Sequence, residues 1–218
     1  MEDIFFEDQE VANLAQDHID AITSYTEKEA ERITKAYRRV RQDLRDRLDA
    51  LDNQDKTGTF TAQRTRGALL QVEAALGAMT KNLNSDLNSS SLDIAGMGIE
   101  NLVTEIESWN QHFTGALVPI NIDAVAVATD TSNFLFNQRE ASLAAYSAAI
   151  RSKMAYAITD AAIAEISMSE LNSKIGKFFL GEEWVIQRLV RTELHNIYNR
   201  GKINGMFDIR ENSIPDLQ

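Results

Sequence analysis

Cysteine is absent from this 218-residue sequence. That excludes a disulfide framework and cysteine-ligated zinc, and it fits a reducing compartment. Proline is nearly absent, with only Pro119 and Pro215. Because proline breaks helix interiors, residues 1–118 and 120–214 are open to long helices. No stretch approaches the roughly 18 apolar residues of a membrane span. The N-terminus, MEDIFFEDQEV, lacks the basic segment and apolar run of a signal peptide. A soluble, non-secreted chain is therefore expected. Positive charge is also short: 22 Lys and Arg stand against 33 Asp and Glu, for a net charge of −11. Nucleic-acid binders normally carry a basic footprint. An acidic chain instead favours partners with basic surfaces.

What the sequence does have is helical period. Ile33, Tyr37, Val40, Leu44, Leu48 and Leu51 recur at steps of three or four, which predicts a helix over about 19–51. A polar segment from Asp52 to Gly58 breaks it. Thr59 or Thr61 can cap a second helix, whose stripe is Leu69, Val72, Leu76, Met79, Leu83 and Leu87. The run NLNSDLNSSSLDIAGMG follows. Its Asn, Ser and Asp compete for backbone hydrogen bonds, and each glycine costs about 1 kcal/mol in a helix. A kink or loop is expected over 88–98. Leu102, Ile106, Trp109 and Phe113 then resume the period, and Gly115 and Pro119 end it.

Ile120, Ile122, Val125 and Val127 are the one β-like stretch, but no partner strand stands nearby. Residues 119–132 therefore read as a linker. Phe134 through Ile166 is helical again. Ser167 and Glu170 then form a capping box, flanked by Ile166 and Leu171 as a hydrophobic staple. Gly181 should end that helix, and Glu182 and Glu183 should open the next. The expected fold class is mainly α with six or so helices and little or no β. A long-helix hairpin or bundle would span 1–118, with a linker over 119–132 and a second helical module over 133–218.

Two acidic or basic segments stand out. Residues 1–14 mix acids with Ile4, Phe5, Phe6, Val11 and Leu14. They read either as a frayed terminus or short docking helix, or as an acidic–aromatic peptide that seats in a partner's groove. Residues 32–49 hold seven Lys or Arg against three Asp. There Arg38, Arg39, Arg41 and Arg45 could touch DNA phosphate or an acidic protein. The plainer reading is a solvated face balanced by the nine acids of residues 1–30.

Catalytic constellations are hard to find. His18, His112 and His195 fall in different helices, outside any H-E-x-x-H or Glu-x-x-His pattern. GMGIEN contains G-x-G without the third glycine or a βαβ context. No catalytic, cofactor or metal residues are assigned, and the chain is not expected to be an enzyme.

The segment EEWVIQRLVRTELHNIYNRGKING, residues 182–205, is more specific. At about 100° per residue, Ile186, Val190, Leu194, Ile197 and Gly201 share one face. Arg191, Thr192, His195 and Asn199 lie opposite. Glu193 sits on the apolar edge near Arg200 and Asn204. Arg191 and Glu193 are two apart, so they cannot pair with each other. Gly201 continues the apolar stripe without a side chain and lets another backbone come close.

RLVRTELHNIYNRGKINGM resembles the most constant segment of the phage Mu F-like family, the minor head or head morphogenesis proteins of tailed bacteriophages. That family shows Arg-Thr-Glu, then Asn, then Gly at the spacing of Arg191, Thr192, Glu193, Asn199 and Gly201 here. The capped helix SMSELNSKIGKFF fits the short helix that precedes it, and the resemblance covers about residues 145–210. It implies a minor capsid protein of the virion head, in multiple copies at the portal vertex and assembled in the host cytoplasm. Its partners would be the portal protein and other head proteins, with packaged DNA a further contact of 32–47. It would act in head assembly, DNA packaging or DNA delivery, with no membrane and no cofactor.

Family members normally continue into a mixed α/β half, whereas this chain stops at ENSIPDLQ. Such a half is a natural counterpart for Arg191, Thr192 and Asn199, which would make the motif a joint between sub-domains. Two other readings stay open: a nucleic-acid-associated helical protein using 32–47, and the N-terminal part of a longer effector with an appended enzymatic domain.

Overall fold

The computed structural model describes residues 3–53, 62–115, 120–164 and 166–213. They form four helices: α1 (Asp3–Asn53), α2 (Ala62–Thr114), α3 (Ala124–Ile163) and α4 (Met168–Ser213). No strand occurs among the described residues, so the mainly α class holds. None of the described helices is long and apolar enough to cross a membrane. The expected cap at Thr59 or Thr61, and Pro119, lie outside the described residues.

Several expected breaks are absent. Residues 88–98 stay helical within α2. The short side chains that weaken this stretch in isolation are its packing surface: Ser90, Ser91, Ile94, Ala95 and Ile99 are all buried. The Ser91 hydroxyl donates to the Leu87 carbonyl at 2.6 Å, so it satisfies itself inside the helix. Tertiary burial outweighs a propensity deficit of about 1 kcal/mol per glycine. Gly181 does not end a helix either, since α4 runs straight through it. The stripe Leu171, Ile175, Phe179, Ile186, Val190, Leu194 and Ile197 is buried on both sides of Gly181 and keeps one helical phase. Six expected helices therefore become four.

The ends that do occur have visible causes. The Ser167–Glu170 capping box forms as expected: the Glu170 amide donates to Ser167 Oγ and the Ser167 amide to Glu170 Oε2, each at 3.2 Å. Gly115 closes α2 at φ 64°, a left-handed conformation suited to glycine. The supposed linker over 119–132 is a linker only to Asp123. There the Asp123 carboxylate accepts the Ala126 amide at 3.0 Å and starts α3.

By its internal contacts the chain forms two units, and neither follows the expected division at 119–132. Unit 1 takes Met1–Glu29, Leu87–Asn137 and Val190–Gln218; unit 2 takes Ala30–Asp86 and Gln138–Leu189. Each draws on both sides of that boundary because α1, α2, α3 and α4 each contribute to both.

In unit 2, Ile33, Leu44, Leu48, Leu76, Ile150, Met154, Ile158 and Phe179 are fully buried. Each such side chain contributes about 1.5–3 kcal/mol. The paired acids of α4 then bind its neighbours. Glu183 accepts from Arg38 Nε of α1 at 2.9 Å, and Arg41 approaches at 3.4 Å. Glu182 accepts the Tyr146 hydroxyl of α3 at 2.9 Å. The acids expected to open a helix thus tie the middle of one to two others. The Tyr37 hydroxyl donates to the Phe179 carbonyl at 2.9 Å. Burial, with the nearby Glu182 charge, pushes that hydroxyl far above its ordinary range, so it remains a donor.

Removing this bond alone, with Tyr37→Phe, is expected to cost about 0.5–1.5 kcal/mol in urea unfolding. An unchanged midpoint would mean that the bond adds nothing.

Candidate functional site

The motif stretch of α4 belongs to unit 1 from Val190 onward. Its inward face is Val190, Leu194, Ile197 and Tyr198, all buried. Gly201 and Gly205 continue that face. On the opposite side Thr192, Asn196 and Asn199 are exposed, as is Arg191. The expected division of faces is observed except at His195. Further along, Ile203, Met206 and Phe207 are exposed apolar side chains, the last two at 57%.

The inward face meets α2 at backbone distance. A Cβ on Gly201 would stand 2.6 Å from the Ala95 carbonyl oxygen and 3.2 Å from Ala95 Cα. A Cβ on Gly98 would collide with the Tyr198 carbonyl oxygen and lie 3.3 Å from the Lys202 nitrogen. Each helix thus places a glycine against the other's main chain. A main chain cannot swing aside as a side-chain tip can, so any larger residue must push the helices apart. Gly98 is the α2 half of this joint, while a Cβ on Gly96 would meet nothing within 4 Å.

Beside the joint lies a polar cluster that local spacing does not reveal. Lys202 Nζ reaches Glu105 Oε1 and Oε2 at 2.7 and 2.6 Å. His18 Nδ1 is 2.9 Å from Glu105 Oε1. The Glu105 carboxylate is only 19% exposed. Burial pushes its pKa up, but the hydrogen bonds from His18 and Lys202 outweigh this and hold it below the ordinary range. Asn101 Nδ2 donates to the Tyr198 hydroxyl at 3.0 Å, adding a second polar link between α2 and α4.

The motif residues divide accordingly. Gly201 is part of the joint. Glu193 is half-buried on the edge facing α3, where Arg200 lies 5.3 Å over the Phe134 ring and Asn204 donates to Thr131 Oγ1 at 2.8 Å. Among the described residues, Arg191, Thr192, Glu193 and Asn199 make no hydrogen bond or ion pair. The structure does not gather them into a common centre. His195, placed with them on the outward side, is half-buried instead, with Nε2 3.5 Å from Thr26 Oγ1. Thr26 already donates to the Thr23 carbonyl at 2.9 Å, so the pair is not an activated nucleophile and base. No group of three His, Asp or Glu among the described residues could hold a metal.

The basic stretch of unit 2 is largely paired. Arg32 bonds Asp86 at 2.8 Å, Lys35 bonds Glu31 at 3.1 Å, and Arg47 bonds Asp43 at 2.8 Å. Arg38 and Arg41 share Glu183. Acids that balance it include Glu31, Asp43, Asp86 and Glu183. Arg39 and Arg45 are exposed and unpaired among the described residues.

Compared with family models, curated proteins and solved structures, the chain shows no match in any of the three.

Gly201→Ala is expected to destabilise the chain by about 1–3 kcal/mol, since the methyl group meets main chain. Gly181→Ala, where a Cβ meets nothing within 4 Å, is expected to stabilise it by up to about 1 kcal/mol. Equal effects in denaturant unfolding would remove the case for a close joint. Acid should weaken the Glu105 cluster. Its folded pKa lies below the ordinary 4.5, so its contribution is complete above that value and is lost as pH falls through the folded one. The difference in Tm between the natural chain and Glu105→Gln is expected to be widest near neutrality and to close as pH falls below the ordinary carboxylate range. A difference independent of pH would contradict this.

Proposed function

We propose that the chain is a structural and assembly protein of a tailed-phage head, acting at the portal vertex in capsid assembly, DNA packaging or DNA delivery. The reading rests on the Mu F-like pattern of Arg191, Thr192, Glu193, Asn199 and Gly201. One observation supports it above the others. Gly201 packs on α2, while Arg191, Thr192 and Asn199 stand exposed on α4 with no partner among the described residues. Packing within the chain accounts for the glycine and leaves the polar motif residues free to meet another surface. The chain then works by binding, not by turnover, and sits in the virion head in several copies.

DNA is a secondary ligand in this reading. Five of the seven basic residues of 32–47 already face carboxylates. With a net charge of −11, few cations remain to displace counterions from a phosphate backbone.

The direct test is co-purification with the portal protein of the same phage. A stable complex is expected; failure to associate at any mixing ratio would overturn the proposal. Arg191→Ala provides a finer test. In the 218-residue chain it should change stability by less than about 0.5 kcal/mol, because Arg191 is exposed and unpaired. It should nevertheless weaken the portal complex. In a longer chain carrying the α/β half, the joint reading instead requires Arg191→Ala to lower Tm.

A further inference from the structure

We infer that a basic groove of unit 2 receives the acidic N-terminal segment of a second copy of this chain. The groove lies between α1 and α4 and has a volume of about 370 Å³. Arg41 and Arg45 line its α1 wall, and Lys177 lines its α4 wall. Ser169 and Ser173 add hydroxyl donors, and Leu180, 58% exposed, adds an apolar contact. Arg45 and Lys177 have no partner among the described residues. Arg41 has only its 3.4 Å approach to Glu183, which Arg38 already holds more closely. In a chain of net charge −11, this is a local concentration of available cations.

The chemistry of the groove favours a short acidic and apolar peptide over a nucleic-acid strand. Asp43 and Asp46 stand on the same stretch of α1, and Asp49 closes one end of the groove through its bond to Asn172. These carboxylates confine the positive field to a patch that two or three acidic side chains would fill, and they repel an extended polyanion. The sequence MEDIFFEDQE offers the complementary set: five acids around Ile4, Phe5 and Phe6. It cannot reach its own groove, because α1 is unbroken from Asp3 to Asn53 and cannot fold back on residues 41–49. Occupancy must come from another molecule. The contact closes into a dimer where the exchange is reciprocal and continues into a ring or filament where it is head-to-tail.

Sedimentation velocity on the full chain tests this. Concentration-dependent association is expected at about 50 mM salt and should be lost by about 300 mM, as screening shortens the reach of the charges. Arg45→Glu with Lys177→Glu should weaken it about tenfold or more without changing the melting curve, because neither residue has a partner to lose. Glu2→Lys with Asp3→Lys and Glu7→Lys should weaken it equally. Mixing the two variants is the decisive arm. The unchanged acidic segment of the groove variant then meets the unchanged groove of the segment variant, and the lysine-bearing segment meets the glutamate-bearing groove, so association should be restored. A chain that stays monomeric at low salt, or a mixture that fails to associate, overturns the inference. So does a groove variant that loses binding to a labelled single-stranded oligonucleotide while still associating with itself.

Discussion

The close approach of α2 and α4 at Gly98 and Gly201 is the constraint on which unit 1 depends. Two helices meet at main-chain distance here because each sets a glycine against the other's backbone, Gly201 against Ala95 and Gly98 against Tyr198 and Lys202. Once Gly201 is set against Ala95, the rotation of α4 is fixed at about 100° per residue. Val190, Leu194 and Ile197 must then point inward, and Thr192 and Asn199 must point out. Lys202, one residue past the glycine, reaches Glu105 from the same register. The stretch of α2 that looks least helical by propensity is helical because this joint requires it to be.

Unit 2 is fixed by a different device. The carboxylates of Glu182 and Glu183 extend from the middle of α4 to Tyr146 of α3 and Arg38 of α1. Partly exposed ion pairs contribute little to stability. Their larger effect here is electrostatic. Glu183 takes up Arg38 and Arg41 of the basic stretch, while Arg39 and Arg45 stay exposed without a partner among the described residues. An acidic protein whose basic stretch is largely paired is better suited to protein partners than to a phosphate backbone.

The apolar stripes were legible in the sequence, because Ile33, Tyr37, Leu44 and Leu48 carry a period that nothing else explains. So were the Ser167–Glu170 box and the helix end at Gly115, since both are local chemistry. The two faces of residues 190–201 followed from angular spacing, except that His195 turns toward Thr26 of α1. Helix continuity was not legible at residues 88–98 or at Gly181. Local propensity counts the cost of serine and glycine but not the burial that offsets it. The Glu105 cluster was also hidden, because His18, Glu105 and Lys202 lie on three helices and share no spacing. Gly98 carried a signal that was read only as helix weakness; its complement, Gly201, is what gives it meaning.

One face of α4 closes unit 1, and under the proposed function the other meets a partner. A chain without cysteine allows this to be measured with single introduced thiols at Thr192, Asn199, Leu194 and Ile197. Maleimide labelling of the folded chain should be fast at the first two positions and slow at the last two. Adding the portal protein should then protect positions 192 and 199. Slow labelling there in the isolated chain would contradict the division of faces. Fast labelling that persists in the presence of the portal protein would contradict the role assigned to the outer one.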